Sequence, residues 1–179
     1  MPADFIINTT CRRRILAFII LLYCSIVQGF GSSEGPYPVL SAGRVREIAD
    51  KAFAFNDKKE FEKSIDLIKP LVMNIDRYDF SDKVLMSDVY FLAGFYYSWI
   101  KEYNKAIDLT EKSVAYRDEA GVFDVRYGKC YTNLAAFWYT LGEHANALEY
   151  AKKAIEFWKK ITPASPKNLA TSYLNIASI

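Results

Sequence analysis

Histidine and cysteine are nearly absent from this chain of 179 residues, which has one His and three Cys. Cys11 and Cys24 fall near the start, so Cys130 is the only thiol of the body. A lone thiol forms no internal disulfide, and stability must come from packing. One thiol and one imidazole, His144, give no set of metal ligands, and no cofactor is expected. Net charge is also small, at +2. Residues 1–29 hold Arg12, Arg13 and Arg14 against Asp4 alone, and the rest balances at 20 basic and 20 acidic residues. A neutral body with interspersed signs lacks the electrostatic footprint of a nucleic-acid binder, so no nucleic-acid partner is expected for this segment. The N-terminal apolar run, Ile15–Val27, has only 13 residues. As a helix it would reach about 20 Å, short of the ~30 Å hydrocarbon layer of a bilayer.

What is present at the N-terminus reads as an address. Three arginines precede the apolar run, and Gln28-Gly29-Phe30-Gly31-Ser32-Ser33 follows it. A basic region, a short apolar region and small residues form a secretory signal. We expect residues 1–29 to be that signal, cleaved after Gly29 or Gly31, with an uncleaved anchor as the alternative. Tyr23 stands before Cys24 where a bacterial lipoprotein signal wants a small residue. The body would then be exported, to the periplasm or to a membrane surface facing it. Residues 30–41, with Gly31, Gly35, Pro36 and Pro38, read as a flexible lead-in.

Beyond it the chain repeats itself. Tyr90-x-x-Ala93-Gly94-x-x-Tyr97, Tyr131-x-x-Leu134-Ala135-x-x-Trp138 and Tyr173-x-x-Ile176-Ala177 share one pattern, spaced by 41 and 42 residues. Ala106 and Ala147 follow the first two copies at a common distance, and Ala147, Ala151 and Ala154 mark one helix face. A weaker copy runs through Ile48, Ala52, Phe55, Phe61, Ser64, Ile68 and Leu71. A fixed period of this size means stacked units. The cause of the spacing is steric: two antiparallel helices approach closely only where small residues sit at the crossing.

This pattern resembles the tetratricopeptide repeat family, from about Val45 to Ile179. The resemblance implies an all-α fold, a right-handed superhelical solenoid of antiparallel helix pairs. The period departs from the family's usual 34 residues, the additional ones falling in Asn74–Asp82, Asp118–Asp124 and Thr162–Lys167. We expect repeats over about 42–80, 82–121 and 124–163 and a partial one over 166–179. Helices are expected near 42–56, 60–76, 82–100, 103–120, 124–141, 144–161 and 166–179. Gly142 suits a turn with positive φ, Gly121 a helix C-cap, and Ser165-Pro166 a helix start. Pro70 should kink the second helix. The last repeat stops before its second helix, so the chain is expected to be the front part of a longer protein.

In this family the first helix of each pair builds a concave face. Its projection selects Arg46, Phe53 and Asn56; Asp88, Phe91, Phe95, Ser98 and Trp99; and Lys129, Thr132, Ala136 and Tyr139. Phe91, Phe95 and Trp99 form a stripe with helical spacing. Either the stripe is a groove for a protein or peptide partner, or its rings pack against the next repeat. The Lys and Asn pairs by which some members clamp a terminal carboxylate are missing, since Ala49/Phe53, Phe91/Phe95 and Thr132/Ala136 stand there. No catalytic residues are expected, because neither Cys130 nor His144 has a partner by pattern. The arrangement resembles the N-terminal part of Bacteroidetes tetratricopeptide signalling proteins, which implies an interaction or sensory scaffold. The alternative is a carbohydrate-binding outer-membrane component with similar helices. Contact with a membrane is expected only through the signal segment or a span further on.

Overall fold

The computed structural model describes residues 37–161 and 165–178. The signal segment, most of the lead-in and residues 162–164 lie outside them. Among the described residues seven helices follow one another: α1 (Ala42–Asp57), α2 (Phe61–Val72), α3 (Lys83–Trp99), α4 (Tyr103–Ala120), α5 (Val125–Thr140), α6 (His144–Lys160) and α7 (Pro166–Ser178). A short 3-10 turn, Ile75–Arg77, follows α2. Helices α1/α2, α3/α4 and α5/α6 pack as pairs, and α7 packs on α5 and α6 as the first helix of a fourth unit. The described residues thus form a solenoid of antiparallel helix pairs.

The pairs close where the sequence is small. A Cβ on Gly94 would lie 2.4 Å from Thr110 Oγ1 and 3.1 Å from the Ala106 carbonyl. Ala106, Ala135, Ala147, Ala151 and Ala154 are all fully buried. Gly128 serves the same end further along α5, where a Cβ would meet the Phe157 ring at 2.4 Å. One apolar cluster joins the first two pairs through Val45, Ile68, Leu71, Leu85, Val89 and Leu92. A second joins α4 to α5 around Ala106, Ile107, Leu134 and Phe137. Each large apolar side chain buried in this way contributes about 1.5–3 kcal/mol.

Local chemistry sets the helix ends, and it differs between the two helices of a pair. The first helices α1, α3 and α5 each begin on a capping side chain. Ser41 Oγ accepts from Arg44 N at 3.4 Å, Asp82 from Leu85 N at 2.9 Å, and Asp124 from Arg126 N and Tyr127 N at 3.0 and 3.2 Å. The second helices have no such cap, because Glu60, Glu102 and Glu143 still serve the helix before. Their backbone N–H groups donate to Phe55, Tyr97 and Trp138 carbonyls at 2.9, 2.9 and 3.0 Å. The preceding residue turns left-handed in each case: Lys59 at φ 62°, Lys101 at 65° and Gly142 at 78°. These are Schellman closures, repeated with the period of the array. Gly121 ends α4 in the same conformation, and Pro166 opens α7 after Ser165.

The second helix is shorter than the periodicity predicts. It ends at Val72 rather than 76, two residues after Pro70. The helix runs through Pro70, which supplies no N–H and crowds the carbonyl four residues back, and ends where Asn74 N bonds to the Leu71 carbonyl at 3.2 Å and the chain enters the 3-10 turn. Asn74 ties this end to the chain before α1, its Nδ2 donating to the carbonyls of Tyr37 (2.9 Å), Pro70 (3.2 Å) and Pro38 (3.3 Å).

Candidate functional site

The first helices α1, α3 and α5 line the inner face, and the stripe along α3 is graded. Phe91 is buried against Phe53, with ring centres 5.8 Å apart. Phe95 is half-buried against Phe61, again at 5.8 Å. Trp99 is 45% exposed, its ring 6.3 Å from Phe61. The stripe thus passes from buried to exposed along α3. Its start is core, and its end is free surface at the mouth of a shallow cavity of about 360 Å³ lined by Phe61, Trp99, Lys59, Glu60, Glu62 and Lys63.

Contacts from the third pair to the first bridge the middle of this face. Arg126 lies over the Phe53 ring at 4.0 Å, and Lys129 Nζ is 3.4 Å from Asp57 Oδ1. The periodicity did not single out Arg126, which lies three residues before Lys129 at the start of α5. The other projected residues are mostly engaged. Arg46 pairs with Asp82. Asn56 Oδ1 is buried with no hydrogen-bond partner. Thr132 accepts from Trp158 Nε1 at 3.1 Å and donates to the Gly128 carbonyl at 3.1 Å. Ser98 Oγ donates to the Phe95 carbonyl at 2.8 Å. Ala136 is half-buried. Tyr139 is exposed, its ring 5.7 Å from that of His144.

Asp88 stands apart from the groove residues, because it is buried and paired. Arg117, with no exposed surface, forms an ion pair with Asp88 and lies 2.9 Å from Asp124. Arg126 adds a contact to Asp88 at 3.6 Å. Arg117 Nε has no hydrogen-bond partner, and its Nη1 is near Asp124 without being aimed at it. Burial pushes the Asp88 carboxyl up while the two guanidiniums oppose it. Beside this pair Ser87 and Ser113 exchange hydrogen bonds with each other's carbonyls at 2.8 and 2.9 Å. The sequence reading missed Arg117. A signal existed: the matching positions one period away are Ile75 and Trp158, both buried. A charge in an apolar register predicts a buried partner.

Cys130 is fully buried, and burial pushes its thiol up to about 12. Such a thiol supplies no thiolate near neutral pH. His144 is exposed at the first position of α6.

Residues 128–163, most of α5 and all of α6, match the family model described as tetratricopeptide repeat. A search of curated proteins finds no match. Among solved structures, BtubC (BKLC) from P. vanneervenii matches with a TM-score of 0.56 at 20% identity, covering 75% of this chain and 54% of that one. The nearly identical TPR-like repeats of a kinesin light chain candidate from Podosopora anserina match with a TM-score of 0.57 at 15% identity, covering 78% and 70%. At such identities the likeness is one of fold, and this chain spans only about half the length of BtubC. The third helix pair is a tetratricopeptide repeat by sequence, and the described array folds as tetratricopeptide repeats do.

Proposed function

We propose that this chain holds a peptide or protein partner at the aromatic end of its inner face, as an exported sensory or signalling scaffold. Tetratricopeptide arrays are interaction scaffolds, and their repeats expose extended surfaces at little conformational cost. The observation that carries the reading is the exposed indole of Trp99 beside Phe61 and Phe95. A large aromatic held on a rigid helix and left open to solvent gives a partner much contact area for little ordering entropy. The middle of the inner face is bridged by Arg126 and Lys129, which directs a partner to this end. Export is supported by the Arg12–Arg14, Ile15–Val27, Gly29/Gly31 sequence.

The test compares Trp99→Ala with Phe91→Ala. The first should abolish capture of the partner and leave the melting temperature unchanged. The second should cost about 3–5 kcal/mol of stability, as buried Phe truncations do. A glycan array run beside the peptide capture separates the carbohydrate alternative, since sugars also stack on an exposed indole. Retained capture in Trp99→Ala would move the site elsewhere. Mass spectrometry of exported material should find a start at Phe30 or Ser32, whereas an intact Met1 in membranes means an anchor.

A further inference from the structure

The array contains two equivalent outer grooves, one where the first pair meets the second and one where the second meets the third. A shift of 41–42 residues maps Val72 onto Val114, Asp76 onto Asp118, and Lys112 onto Lys153. These common residues are what the fold needs at the junction. Several positions differ, among them Met73, which becomes Ala115, and Lys105, which becomes Asn146; two of the changes set the chemistry of the second groove. Lys69 in the first register becomes Glu111, and Leu109 becomes Tyr150. Packing does not demand the change, since the first groove closes without it.

The change alters the chemistry of the second groove. Its cavity, about 340 Å³, is lined by Glu111, Asp118, Tyr131, Tyr150 and Lys153 over an apolar base of Val114 and Leu134. Tyrosine hydroxyls hold both carboxylates in place. Tyr150 donates to Glu111 Oε1 at 2.6 Å, and Tyr127 donates to Asp118 Oδ1 at 2.8 Å. The rings of Tyr131 and Tyr150 lie 6.3 Å apart. The one cation among the described lining residues is Lys153, whose charge is matched by Glu149 at 2.6 Å. It lies 4.7 Å over the Tyr150 ring, which shows that this ring already accepts an ammonium on its face. Two oriented carboxylates and two tyrosine rings around an open cavity complement an organic cation.

We infer that this groove, between α4 and α6 on α5, is a second docking site that takes a lysine or arginine side chain of the protein partner. The inference rests on the scaffold reading above, and adds that the partner presents a basic residue to the outer face. The cation sits between Glu111 and Asp118 and against the tyrosine faces, while its aliphatic stem lies on Val114 and Leu134.

The experiment titrates the full chain with three short blocked peptides carrying lysine, Nε-acetyl-lysine or norleucine, and reads the ring resonances of Tyr131 and Tyr150. The lysine peptide should shift them, and the acetylated and norleucine peptides should bind at least about tenfold more weakly, a difference of about 1.4 kcal/mol. Glu111→Lys and Tyr150→Leu restore the residues of the first groove, so both should keep the melting curve while weakening the lysine peptide by about tenfold or more. Unmoved tyrosine resonances, or equal binding of lysine and acetyl-lysine peptides, would overturn the assignment. Such a failure would leave the inner-face reading standing, because that reading is decided by partner capture in Trp99→Ala.

Discussion

Arg126 at the start of the third helix pair lies 4.0 Å over the ring of Phe53 in the first, although 73 residues separate them. Together with the Lys129–Asp57 pair, this contact spans the second repeat across the inner face. Its strength is modest: a partly exposed cation–π contact is worth about 0.5–1 kcal/mol, and an exposed ion pair about 0–1 kcal/mol. A double-mutant cycle of Arg126→Ala and Phe53→Ala should therefore give a coupling near 0.5–1 kcal/mol. Small-angle scattering on Arg126→Ala/Lys129→Ala should show a wider array than the wild type. Additive effects of the two single substitutions would mean that the stack contributes nothing.

The left-handed turn residue gives a cleaner prediction, because the protein carries its own comparison. Lys59, Lys101 and Gly142 occupy the same Schellman position with φ between 62° and 78°. A side chain there clashes with its own backbone, at about 1–2 kcal/mol. Glycine removes the clash but loosens the unfolded chain. Lys101→Gly should thus raise stability by about 0.5–1 kcal/mol, and Gly142→Ala should lower it by about 1 kcal/mol. Urea melts of the two variants would check the pair, and opposite signs are the result expected.

Helix register is tested on α6. Ala147 is fully buried at the crossing with α5, whereas Ala145, one residue after the start of the helix, is exposed. Ala147→Leu should destabilise by roughly 1–3 kcal/mol through overpacking. Ala145→Leu should be close to neutral, since both residues are good helix formers. Equal melting temperatures would contradict this packing.

Most of this architecture was legible because it is periodic and local. Ala106, Ala147 and Gly94 recur where helices cross, Gly121 and Gly142 stand at left-handed closures, and Ser165-Pro166 opens the last helix. The early end of α2 was harder to read, because it depends on Asn74 reaching back to Tyr37 and Pro38, a contact across 37 residues that no local pattern encodes. The inner face was only half legible. Helical projection placed Phe91, Phe95 and Trp99 on one stripe, but exposure along it depends on how closely α1 and α5 approach α3. No periodic position marks Arg126, and helical projection alone places Asp88 in the groove because its partner lies 29 residues away on α4.

That partner supplies the last prediction. Arg117 has no exposed surface, and its guanidinium pairs with Asp88, itself 8% exposed, and with Asp124. Removing one member of a buried pair strands the other charge, and such losses typically reach about 3–5 kcal/mol. Arg117→Ala should fall near the lower end of that range, because Arg126 stays 3.6 Å from Asp88 and offsets part of its charge. The neighbouring repeats show what the position otherwise accepts, with buried Ile75 and Trp158 in register. A double replacement, Arg117→Leu with Asp88→Leu, removes both desolvated charges at once. It should restore most of the lost stability, because an apolar pair of similar size often equals or exceeds a buried ion pair. Asp124 keeps its cap to Arg126 N and Tyr127 N in both variants, so the start of α5 is unaffected. Thermal melts of Arg117→Leu, Asp88→Leu and the double variant measure the coupling directly. Stability losses that simply add would show that Arg117 is held by packing alone and that its charge has no bearing on Asp88.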